Sequence, residues 1–143
     1  MRPVHVILSI GLALLSMTAA VAQSCRTSAP VAFSLGADVG SRSTVVRATP
    51  HGRFALRAQR TGVSAVQMRF SLGGRAMTPR RLASVPAKAR ACLPGSVQAR
   101  SHAKGGKKLV CYVLGKPWCD DAHRVCYAIA CCGSVCAAGS ATY

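Results

Sequence analysis

The sequence predicts a small disulfide-rich C-terminal module, a short helix with irregular or β segments, that follows a largely disordered basic arm holding one candidate β-hairpin. Three observations predict it. Six of the eight cysteines, Cys111, Cys119, Cys126, Cys131, Cys132 and Cys136, lie in residues 109–143. The charge lies elsewhere: of nineteen Lys and Arg, sixteen fall in residues 23–108 against the single acid Asp38, whereas residues 109–143 balance Lys116 and Arg124 with Asp120 and Asp121. The third observation is that residues 1–22 have the layout of a secretory signal.

That signal is the first element. Arg2 and His5 stand before an apolar run, residues 6–22, interrupted only by Ser9, Ser16 and Thr18. Ala20 and Ala22 flank Val21 in the A-x-A arrangement that a signal peptidase reads, so cleavage is expected after Ala22. An uncleaved anchor fits less well, because the run is short for a bilayer and its cleavage-site residues would be unexplained. A lipoprotein signal ending at Cys25 would put the bulky Gln23 where small residues are wanted. The expected location is secreted, extracellular, and there an even count of cysteines is read as a disulfide framework. Eight cysteines allow 105 connectivities, and spacing does not choose among them. The sequence contains no Asn, which excludes N-linked glycosylation.

In the basic arm, residues 23–108, apolar residues are scattered among Arg, Ser, Thr, Gly and Pro, and the high net charge opposes compaction. One stretch reads differently. Val66, Met68, Phe70 and Leu72 alternate with Gln67, Arg69 and Ser71, the period of a half-buried strand, and Gly73-Gly74 closes it. Upstream, Phe54, Leu56 and Ala58 alternate with Arg53, Arg57 and Gln59, and Arg60-Thr61-Gly62 supplies a turn, so a β-hairpin over residues 53–72 is expected. Its second face would present Arg53, Arg57 and Arg69 to an anion.

Residues 78–108 read as a linker broken by Pro79, Pro86 and Pro94. Two dibasic pairs, Arg80-Arg81 and Lys107-Lys108, are candidate processing sites, since proteases cut exposed flexible segments; so basic a chain also produces such pairs by chance. Cleavage after Lys108 would release a module with six cysteines and leave Cys25 and Cys92 as a pair in the arm.

The module's spacing is C-x7-C-x6-C-x4-C-C-x3-C. Cys132 and Cys136 would share a face of a helix, and residues 125–138, rich in Ala and free of Pro, are expected to form one. The run from Cys111-Tyr112 through Gly115-Lys116-Pro117-Trp118-Cys119 to Cys126 and Cys131-Cys132-x3-Cys136 resembles the small secreted cysteine-rich peptides of plants, the defensin-like and embryo- or endosperm-expressed groups. The resemblance covers about a quarter of the chain and implies a defence or signalling role. The defensin-type pattern continues with C-x-C, whereas residues 137–143 contain no cysteine.

Other chemistries have less support. Cys119, His123, Cys126, Cys132 and Cys136, with His102 nearby, are ligand types for zinc, but only one spacing, C-x3-C, fits a common zinc pattern. There is no Glu, and the adjacent Asp120 and Asp121 would diverge; an oxidised cysteine is no nucleophile. His51, His102 and His123 read as solvent-facing. No enzyme, cofactor or small-molecule substrate is expected. The expected function is that of a secreted non-enzymatic cysteine-rich protein of defence or signalling type, processed at a dibasic site, with a receptor as partner. The alternative is a cationic protein whose arm binds an anionic membrane or glycan surface. Nucleic acid is disfavoured by secretion and by an arm whose aromatics are Phe33, Phe54 and Phe70 alone. The absence of Glu and Asn also fits a compositional bias in which the arm has no selected function.

Overall fold

The structure is a computed structural model that describes Cys25 and residues 28–93 and 107–143. The signal segment with Ala22, and the linker residues 94–106 with Pro94 and His102, lie outside the described residues. Ten strands run in order: β1 Pro30–Leu35, β2 Arg42–Thr49, β3 Gly52–Arg60, β4 Val66–Leu72, β5 Arg75–Ala76, β6 Thr78–Arg80, β7 Leu109–Leu114, β8 Trp118–Asp120, β9 Val125–Cys132 and β10 Val135–Thr142. They form a six-stranded sheet, β1-β7-β9-β10-β6 with β8 beside β9, and a four-stranded sheet, β2-β3-β4-β5. All pairings are antiparallel.

The hairpin that the alternation marks is β3 paired with β4, Leu56 opposite Phe70 and Arg57 opposite Arg69. Phe54, Leu56, Phe70 and Leu72 are buried on one face, and they pack against Val113, Cys126, Ala128 and Ala130 of the larger sheet. Full burial of a large apolar side chain contributes about 1.5–3 kcal/mol, so this stripe joins the two sheets. Gly73 and Gly74, at φ +61° and +80°, make the two-residue β4–β5 turn, a conformation that suits glycine at both positions.

The described part of the basic arm, Cys25 and residues 28–93, is therefore built of paired strands, contrary to the expectation of disorder. The arm's described arginines other than Arg60 are exposed, while inward positions such as Phe54, Leu56, Phe70 and Leu72 carry enough apolar area to cover the other sheet. β1 pairs along its length with β7, and β6 pairs with β10, so residues on both sides of position 108 share one sheet. Arg60 is the exception to outward charge. It is fully buried, and its guanidinium donates to the carbonyls of Gly62 (3.3 Å), Gly36 (2.9 Å), Lys107 (2.6 Å) and Val63 (2.7 Å). One planar fork thus ties together three separate stretches of chain.

The helix expected over residues 125–138 is also absent: those residues form β9, a turn at Gly133-Ser134, and the start of β10. The reason is burial on both faces. Cys126, Ala128 and Ala130 face the four-stranded sheet, whereas Ile129 and Cys131 pack under Val85, Ala89, Cys92 and Leu93. A strand covered on both sides shows no polar alternation, and its small residues serve close packing rather than helix propensity. The covering segment holds a 3-10 turn, Leu82–Ser84, and the single helical turn α1, Ala87–Arg90. It is tied down by Cys25–Cys92.

The other three disulfides all involve β9. Cys132 bonds Cys111 on β7, Cys126 bonds Cys119 on β8, and Cys131 bonds Cys136 on β10. Each joins residues directly opposite in the ladder. The adjacent pair Cys131-Cys132 projects to opposite faces of the strand, which lets neighbouring residues bond to different partners.

Candidate anion-binding face

The outer face of β2-β3-β4 follows from register. Alternation sends Phe54, Leu56 and Ala58 into the core and leaves Arg53, Ala55, Arg57 and Gln59 outside. The pairing then sets one row of Thr44, Arg57 and Arg69 beside a second row of Arg42, Gln59 and Gln67. Arg57 and Arg69 are direct cross-strand neighbours, a placement that puts their Cβ atoms roughly 5 Å apart. Arg42, Thr44, Arg57, Gln67 and Arg69 line a shallow groove of about 540 Å³.

The electrostatics of this face are one-signed. All four arginines, Arg42, Arg53, Arg57 and Arg69, are exposed. Among the described residues the only ion pair is His123 with Asp120, 2.7 Å apart and outside this sheet. Like charges directly opposite on a sheet are mutually destabilising by some tenths of a kcal/mol. An anion bridging Arg57 and Arg69 would relieve that repulsion and accept from two planar forks. Thr44, Gln59 and Gln67 add neutral hydrogen-bonding groups around the pair.

The structure brings together Arg57 and Arg69 of the three arginines expected to bind anions. Arg53 shares their face but lies four residues from Arg57 along β3, roughly 13 Å away at strand spacing. Arg42 takes its place in the group. It was not legible in the sequence, since Arg42-Ser43-Thr44-Val45-Val46 shows no clear alternation and its neighbours depend on the β2–β3 register.

The remaining predicted residues fall as follows. Cys25, Cys92, Cys111, Cys119, Cys126, Cys131, Cys132 and Cys136 are all in disulfides. The residues of the less supported zinc alternative do not form one group: His123 bonds Asp120, which holds that carboxyl below its ordinary value of 3.8, and the histidine beside Cys119 and Cys126 is His51. Arg80 and Arg81 are exposed, with Arg80 in β6 donating to Ser140 Oγ at 2.8 Å. Lys107 and Lys108 are exposed too, but Arg60 holds the Lys107 carbonyl, and Leu109 is buried opposite Leu35.

Comparison with known proteins adds no relative: no protein-family model, curated protein or solved structure matches this chain.

Proposed function

We propose that the protein is secreted and binds an acidic glycan through the outer face of β2-β3-β4. The observation that carries this reading is the register-set grouping of Arg42, Arg57 and Arg69 with no carboxylate partner among the described residues. Four disulfides, which are typical of extracellular proteins, support the location. A sulfated or carboxylated polysaccharide offers repeating anions with hydroxyls between them. Arginine forks suit the first, and Thr44, Gln59 and Gln67 suit the second.

A lipid surface is the weaker reading. Membrane insertion of an amphipathic hairpin needs its apolar face, and here Phe54, Leu56 and Phe70 are buried against the other sheet. Release of residues 109–143 as a free signalling peptide has less support as well, because that would strip the cover from Val113, Ala128 and Ala130.

Retention on an immobilised sulfated glycan tests the proposal. Each basic residue at an anionic surface contributes about 1 kcal/mol, so Arg57→Gln with Arg69→Gln should weaken binding roughly thirtyfold. Salt should weaken it too, as the screening length falls from about 10 Å at 0.1 M to 3 Å at 1 M. Equal retention of the double variant overturns the assignment, and binding to anionic vesicles but not to the glycan transfers it to lipid.

A further inference from the structure

The cavity at the other end of the hairpin carries different chemistry. It measures about 240 Å³ and is lined by His51, Lys116, Trp118, Cys119, Asp121 and Cys126, among others. The potential ligand atoms of His51, Cys119 and Cys126 all lie within 4.8 Å of one another. Two of these are sulfurs bonded to each other, and a disulfide sulfur is a poor ligand. Once separated as thiolates, the same two sulfurs and an imidazole nitrogen are the Cys2His set that borderline-soft divalent cations take, with the fourth position open.

We infer that Cys119, Cys126 and His51 form a redox-gated site for a soft divalent cation of the Zn2+ type, closed while the two cysteines are bonded and opened by exchange with a dithiol. Cys119 is partly exposed at the cavity whereas Cys126 is buried beneath it, so an incoming thiolate meets Cys119 Sγ. Attack there forms a mixed disulfide, breaks the Cys119–Cys126 bond and expels Cys126 as a thiolate. The second thiol of the reductant then displaces Cys119. The dithiol leaves as its own disulfide, two electrons oxidised, and its two protons go to the two cysteines. Binding of the cation to both sulfurs releases those protons again.

The fold holds the third ligand and tolerates the opening. His51 sits in the β2–β3 turn, its backbone N–H donating to Thr49 Oγ1 at 3.2 Å. Its ring stacks on Tyr143 at 3.8 Å between centroids, and the Tyr143 hydroxyl donates to Asp121. Opening this disulfide frees only β8, three residues paired solely with β9. β9 remains bonded to β7 and β10 through Cys111–Cys132 and Cys131–Cys136. No other disulfide forms such a three-ligand group among the described residues.

The test uses the full disulfide-bonded protein, treated with limiting dithiothreitol and then Cd2+ as a spectroscopic probe, with Zn2+ as competitor. Differential alkylation should show Cys119 and Cys126 opening first, with the β-sheet circular dichroism retained. One Cd2+ per chain should then bind with a thiolate-to-metal absorption band, and Zn2+ should displace it; the untreated protein should bind none. His51→Phe keeps a ring against Tyr143 but removes the nitrogen, and should weaken binding by more than the roughly 10–100-fold that a change beyond the ligands costs. The double variant Cys119→Ser, Cys126→Ser, treated identically, should not bind. The inference is overturned if another disulfide opens first, if the sheets unfold before this one opens, if His51→Phe binds as tightly, or if the serine variant still takes up the metal.

Discussion

Arg60 shows how one side chain can fix several loops at once. A buried guanidinium with no carboxylate partner is tolerable here because backbone carbonyls of residues 36, 62, 63 and 107 receive its protons. Arg60→Met would remove the guanidinium from the carbonyls of Gly36, Val63 and Lys107, whereas the Gly62 carbonyl keeps the Ala65 N–H, and a hydrogen bond to a charged group contributes about 1.5–3 kcal/mol. The variant should therefore lose at least about 3 kcal/mol in denaturant unfolding. It should also speed trypsin cleavage at Lys107-Lys108 relative to the parent. Tyr143 provides a second residue-scale test. Its hydrogen bond to Asp121 raises its pKa above the ordinary 10.0. A raised value means that the stability contributed by the Tyr143–Asp121 hydrogen bond is fully present below pH 10 and is lost as pH rises through the folded value. Ultraviolet titration should find one of the three tyrosines ionising late, and Asp121→Asn should remove the delay.

β3, β4 and β9 mark the limits of what the sequence discloses about single elements. The first two are buried on one face only, so Phe54, Leu56, Phe70 and Leu72 alternate visibly with polar residues and the hairpin could be read from residue order, whereas Arg57 meets Arg69 because the turn runs over residues 61–65 rather than the expected Arg60-Thr61-Gly62. β9 is covered on both faces, and its Ala128, Ala130 and Cys131-Cys132 carry no period that separates strand from helix. Arg42 joined the site through a register that no local pattern announces, and His51 met Cys119 and Cys126 only through tertiary packing. The disulfides can be ranked by what each closes. Cys25–Cys92 spans a separation of 67 residues and Cys131–Cys136 one of 5. On loop entropy these are worth roughly 4 and 2 kcal/mol. Replacing each pair by alanines should reproduce that order in chemical denaturation at equilibrium; a larger loss at Cys131–Cys136 would contradict it.

For the whole molecule, an uneven charge distribution suggested two independent halves, yet the strands cross that boundary. A peptide of residues 109–143 holds six cysteines that the fold pairs among themselves, but it lacks β1, β6 and the apolar face of the hairpin. Refolded alone in a glutathione buffer, it should give a mixture of isomers, and a single dominant product with these three bonds would show that the arm is dispensable for folding. The covalent map adds something more. Cys25 and Cys92 bond each other, and neither bonds a cysteine of residues 109–143, so the cross-links define two blocks joined covalently only through residues 94–106 of the main chain. Those blocks meet edge to edge, β1 on β7 and β6 on β10, and share one core. That is the design of a split protein: two separately synthesised polypeptides, ending and beginning within that segment, should reconstitute the two packed sheets when mixed under oxidising conditions, each acting as template for the other.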